Sequence, residues 1–106
     1  MEKSIRNSAE DILMELGVMP RNRAFLYCCE AVEMMFEDET ITVVMICKLI
    51  ASRHKKTETN VYNCMCYSIK QIPIERLKNT FGNVQNTKIA NFLGMLYVKA
   101  KRNIEI

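Results

Sequence analysis

Apolar positions along the chain recur at helical spacing, and polar breaks divide them into six segments. Residues 1–7 are polar and read as a flexible N-terminus. Residues 8–106 read as one helical domain. Ser8 suits a helix N-cap, with Asp11 three residues on. Ile12, Leu13 and Leu16 form the first stripe, and Gly17 supplies a left-handed stop. After Val18-Met19-Pro20, a second helix is predicted from about Arg21 to Asp38. Its Phe25, Cys28, Ala31, Val32, Met35 and Phe36 should face the core, with Glu30, Glu33 and Glu37 on the wet side. The run Glu37-Asp38-Glu39 lies where the helix dipole disfavours negative charge, so the helix should end there. A third helix should begin near Thr40 or Thr42. It carries Val43, Val44, Ile46, Cys47, Leu49 and Ile50 on more than one side, which predicts the most buried element.

A basic break, Arg53-His54-Lys55-Lys56, precedes the fourth segment. Thr57 suits its N-cap. Val61, Cys64, Met65, Ser68, Ile69 and Ile72 fall on one helical stripe and should pack inward, leaving Thr59, Asn60, Tyr62, Asn63, Cys66, Tyr67 and Lys70 outward. Pro73 suits the first turn of a short fifth helix, anchored by Ile74, Leu77 and Phe81 and ended by Gly82. The last helix should span about Thr87 to Asn103. Its stripe of Ile89, Phe92, Leu93, Leu96, Tyr97 and Ala100 can close the core or, through Phe92, Leu96 and Tyr97, pair with a second copy in a homodimer. The expected fold is therefore all-α. Two helices joined by a tight polar turn are the sequence form of a helix-turn-helix, with Thr59–Ile72 entering a DNA major groove.

Composition agrees with a single helical domain. A chain of 106 residues has room for one core, and 49% hydrophobic residues exclude disorder. Charge is unevenly spread. Residues 1–53 hold six Lys/Arg against nine Asp/Glu, a balance of −3; residues 54–106 hold nine against three, a balance of +6. That split suits a basic face meeting phosphate, although ordinary surface charge for solubility produces the same pattern. Five cysteines, Cys28, Cys29, Cys47, Cys64 and Cys66, make an odd set without zinc spacing, and they read as free thiols in a reducing cytosol. No apolar run approaches a membrane span. A cytoplasmic protein with no metal or cofactor is expected. His54 has no partner at a catalytic spacing and reads as a surface residue. With no nucleophile–base pair and no Gly-rich phosphate loop, an enzyme is the class least supported.

The outward face of the fourth helix is polar and uncharged until Lys70. Asn pairs bidentately with adenine, and Thr or Tyr reaches bases or phosphates. Thr59, Asn60, Asn63 and Tyr67 are the candidate base contacts, and Arg53, Lys55 and Lys56 the candidate phosphate contacts. Lys99, Lys101 and Arg102 suit a helix C-terminus and can also touch phosphates. The same Asn and Tyr residues are equally ordinary on a solvated helix.

Taken in order, these segments resemble the C-terminal DNA-binding effector domain of the sporulation master regulators, the stage-zero response regulators of spore-forming Firmicutes. The likeness covers roughly Ser8 to Arg102. It lies in Ile12-Leu13, Glu15-Leu16-Gly17-Val18, Phe25-Leu26-Tyr27 and Glu30-Ala31-Val32, then in Ile41-Thr42, Ile50-Ala51, Thr57 and Val61, and finally in Phe81-Gly82, Asn91-Phe92-Leu93 and Met95. The resemblance implies a six-helix, winged-helix-like effector domain without a sheet, its third and fourth helices forming the reading pair. It departs where reading occurs. The family's three arginines are replaced by Asn60, Asn63 and Cys66, and its His by Tyr67. Each lost Arg contact is worth about 1–3 kcal/mol. The segment from Ile41-Thr42 to Ile50-Ala51 is one residue longer than the family's. The chain also starts just before its first helix, so the expectation is that no receiver domain switches it in cis. Two functions follow: a stand-alone transcriptional regulator binding double-stranded DNA, or a paralogue without DNA reading that contacts RNA polymerase or the intact regulator and so modulates sporulation genes.

Overall fold

The first helix starts a turn earlier than its apolar stripe predicts. In the computed structural model, which describes residues 3–105, α1 spans Ile5–Glu15 with Ser4 as N-cap, its Oγ accepting from the Asn7 N–H at 3.0 Å. Of the flexible N-terminus expected over residues 1–7, positions 1 and 2 lie outside the described residues, as does 106. Ile5, Arg6 and Asn7 are helical. Ser8 is not a cap. It is fully buried and donates to the carbonyl of Ala100 at 2.8 Å, so its hydroxyl stitches α1 to the last helix. The end of α1 follows the sequence closely. Gly17 takes φ +91°, its N–H reaches the Met14 carbonyl at 3.0 Å, and the Val18 N–H reaches the Leu13 carbonyl at 2.9 Å. That pair of bonds is a Schellman closure, which a left-handed residue at Gly17 makes possible.

Helix α2, Arg23–Glu37, is the axis of the domain: it packs on α1 and on the helices numbered α3, α4 and α6 below. A helix touched from several sides buries more than one stripe. Tyr27, Cys28, Cys29, Glu30, Ala31, Val32 and Met34 are all buried. One expectation fails for that reason: Glu30, assigned to the wet side, is 7% exposed. Phe36, assigned to the core, is 47% exposed, because it lies in the last turn, beyond Met34, where the buried stretch of α2 stops. The helix does end at Glu37, as the dipole argument requires. Asp38 then accepts from the N–H and hydroxyl of Thr40, which holds its carboxyl below the usual range.

Four more helices complete the described chain: α3 (Val43–His54), α4 (Glu58–Lys70), α5 (Ile74–Phe81) and α6 (Ile89–Ile104). The fold is all-α, with no strand among the described residues. The Cα radius of gyration is 12.9 Å, matching the roughly 13 Å of a single domain this size. Helix α3 is not the most buried element. Ile46, Cys47, Ile50 and Ala51 form one inward stripe, while Val44, Met45 and Leu49 are exposed, because α3 packs mainly on α2 and α4 and nothing covers its far side. Ile74 of α5 is likewise exposed. Leu77 holds that helix, and Phe81 meets Phe92 edge-on at 5.9 Å.

The stripe on α6 closes the core against α1 and α2. Phe92, Leu96 and Tyr97 are 1%, 0% and 7% exposed, so they are spent within the monomer and cannot form the dimer surface considered for them. The Tyr97 hydroxyl donates to the Glu39 carboxylate, which also accepts from Lys101 at 2.9 Å. Cys28, Cys29 and Cys47 are buried free thiols; Cys64 and Cys66 are half-buried. Burial pushes the Cys28 thiol up strongly and the Cys29 thiol up to about 12. No helix among the described residues is long and apolar enough to cross a membrane.

Candidate nucleic-acid interface

Helix α3 is opened by Thr42, whose Oγ accepts from the Met45 N–H at 3.2 Å. It stops at Lys55, which takes φ 55° and ψ 45°, the left-handed region. The Lys55 N–H and the Lys56 N–H both reach the Ala51 carbonyl, the latter at 2.9 Å. Lys55 is the one non-glycine residue with positive φ among those described. A lysine where glycine is usual carries a backbone cost. Thr57 then caps α4, accepting from the Asn60 N–H at 3.0 Å. The turn is thus three residues, Lys55 to Thr57, and it joins two helices that pack on each other.

Of the stripe the spacing predicts, Val61, Met65, Ser68 and Ile69 are buried on α4, Cys64 is half-buried, and Ile72 is buried just beyond the helix's end. Outward lie Thr59, Asn60, Asn63 and Tyr67, all exposed, Tyr67 at 69%. These four candidate base contacts line one open concavity together with Asn22 and Thr57. None of its lining residues is charged. Lys55 and Lys56 sit at the start of α4 and Lys70 at its end, all exposed and none in an ion pair among the described residues.

Arg53, the third candidate phosphate contact, is engaged elsewhere. Its Nη1 lies 3.3 Å from Glu30 Oε1, and His54 Nε2 lies 2.7 Å from Glu30 Oε2. The His54 ring leans on Tyr27 at 5.5 Å. His54 is therefore a half-buried structural residue rather than a free surface one. Glu30 gathers the last two residues of α3 onto α2 and so fixes where the turn begins.

Three contributors escaped the sequence reading. Asn22 caps α2 by accepting from the Ala24 N–H at 2.9 Å, and its Nδ2 donates to Ser68 at 3.1 Å. This brings the N-terminal end of α2 beside α4, and Arg23 shares a depression with His54 and Lys56. On the opposite flank, Arg76 lines a second depression that reaches Tyr67 and Asn22, with its guanidinium lying over Gly17. An Asn before a helical stripe was the available signal for Asn22; Arg76 carried none, because its place beside Tyr67 and Asn22 depends on how the chain folds back after α4.

Among the described residues, no three His, Cys, Asp or Glu converge on a point that could hold a metal ion. The geometry is a neutral polar helix face with cations at both ends and the exposed Glu58 in its first turn. Comparison of the chain with protein-family models, with curated proteins and with solved structures finds no match.

Proposed function

We propose that this domain binds double-stranded DNA and acts as a transcriptional regulator, with α3 and α4 working as a helix-turn-helix. The observation that carries the reading is the exposed polar face of α4, next to a turn whose Lys55 and Lys56 have no ion-pair partner among the described residues. In this role Thr59, Asn60, Asn63 and Tyr67 meet base edges, and Lys55 and Lys56 meet phosphate. Arg23 and Arg76 extend the phosphate contacts on either flank. Arg53 serves the turn through Glu30 instead. The resemblance to sporulation effector domains agrees with this role, and sporulation genes are its natural targets in that reading. Binding of a random-sequence duplex pool, followed by anisotropy at low and moderate salt, tests it. Affinity should fall steeply with salt. No binding at low salt contradicts it.

A second reading is a protein-interaction module that has lost DNA reading. The uncharged lining of the α4 concavity and the exposed Val44, Met45 and Leu49 on α3 favour it. Its partner would be RNA polymerase or an intact regulator. Retention of RNA polymerase by the immobilised domain after nuclease treatment, lost on Val44→Asp, supports this reading; recovery of nucleic acid alone removes it.

A further inference from the structure

Helix α6 has a second face, turned away from the core. With the end of α5 it borders a groove of about 500 Å³, floored by Phe81, Met95 and Val98 and edged by Lys99 and Arg102. Val98 is 44% exposed. Neither Lys99 nor Arg102 has a carboxylate partner among the described residues, whereas the adjacent Lys101 is held by Glu39 and Glu105. In the middle of this face is Gly94. Glycine is among the poorest residues for a helix interior, and a Cβ built there meets no atom of the described residues within 4 Å. Gly94 therefore leaves the middle of this face without a side chain.

We propose that this groove receives an amphipathic helix of another protein, with an apolar ridge lying over Gly94 and carboxylates paired to Lys99 and Arg102. Helix-in-groove docking needs this combination of apolar floor and charged edge. A phosphate backbone would match the two cations but would leave Phe81, Met95 and Val98 unused. A second copy of this chain fits poorly. Its exposed apolar face on α3 (Val44, Met45 and Leu49) adjoins Lys48, a like charge to the groove's edge, while Phe36 on α2 and Met14 on α1 are single side chains whose neighbours Glu33 and Asp11 are already paired with Arg6 and Lys3. Its acidic run is a helix end, and Glu39 there is already bonded to Tyr97 and Lys101. The proposal stands apart from the duplex reading, which concerns α4.

The test uses a synthetic helical peptide with leucines at i, i+3, i+4 and i+7 and glutamates beside them, and the same peptide with lysines in place of glutamates. Labelled peptide anisotropy should register binding of the acidic form only. Gly94→Leu should weaken it about tenfold, as should the pair Lys99→Glu and Arg102→Glu, while Lys55→Ala with Lys56→Ala should leave it unchanged. Gly94→Ala reports on folding, and should raise the melting temperature by about 4 °C. Failure of the acidic peptide to bind, equal binding of both peptides, or binding indifferent to Gly94→Leu overturns the proposal. So does concentration-dependent dimerisation that Gly94→Leu abolishes, which would assign the groove to a second copy. Loss of duplex binding in the Gly94→Leu protein would assign it to DNA, with the same consequence.

Discussion

Lys55 has two roles that pull in opposite directions. Its backbone occupies the left-handed region that glycine fills without strain, while its side chain offers a charge at the start of α4 that has no ion-pair partner among the described residues. Lys55→Gly should therefore stabilise the domain by about 1 kcal/mol and weaken duplex binding at the same time. Denaturant unfolding and anisotropy on the same sample separate the two effects. A gain in stability with unchanged affinity would remove Lys55 from the phosphate contacts. Lys56→Ala has no such backbone component. It should lower affinity about equally for all sequences and reduce the salt slope by roughly one contact. Gly94→Ala should add about 0.5–1 kcal/mol, since its Cβ enters open space in a helix interior.

Among the elements, the joint between α2 and α3 depends on one buried carboxylate. Glu30 accepts from Arg53 and lies 2.7 Å from His54, and both partners are the last residues before the turn. Glu30→Gln keeps the volume and removes the charge. It should cost about 1–3 kcal/mol, and amide exchange should rise first at the end of α3. Uniform loosening throughout the chain would mean that Glu30 is only one core contact among many. This joint was not readable in advance. Periodicity assigns one wet side to each helix, and α2 has almost none, because four other helices surround it. Periodicity also placed Phe36, in the last turn of α2, inside and took the exposed Val44 and Leu49 for core. What could be read was whatever depends on neighbours in sequence. Thr42 and Thr57 cap their helices, Gly17 and Gly82 close theirs with positive φ, and the inward stripe of α4 falls where its spacing requires. Ser8 misled because a serine before an apolar stripe resembles a cap, whereas here it bonds a carbonyl 92 residues away. Thr59, Asn60, Asn63 and Tyr67 could be grouped from helix geometry alone. Asn22, Arg23 and Arg76 could not, since they arrive from other elements.

For the whole molecule, the contact between the α2–α3 connection and the end of α6, where Tyr97 and Lys101 bond to Glu39, should respond to pH. Hydrogen bonds from Tyr97 and then Lys101 lower the Glu39 pKa; burial, then the bond to Glu39, raises that of Tyr97. A lowered carboxylate contributes stability above its unfolded pKa and loses it as pH falls through the folded value. A raised tyrosine contributes below its unfolded pKa and loses it as pH climbs through the folded value. The melting-temperature gap between the native protein and Tyr97→Phe should thus be widest near neutrality. It should narrow below about pH 4 and again above about pH 10. A gap independent of pH would leave only lost packing. The buried thiols give a second global check: Cys28, Cys29 and Cys47 should resist alkylation until the domain unfolds.

The duplex reading is most directly tested by amide chemical-shift mapping of the labelled domain titrated with a random-sequence duplex. The account predicts shifts over residues 55–67, with a second group at Asn22 and Arg23 and a smaller one at Arg76. A spectrum that does not change at low salt, or changes confined to the outer face of α6, would contradict it.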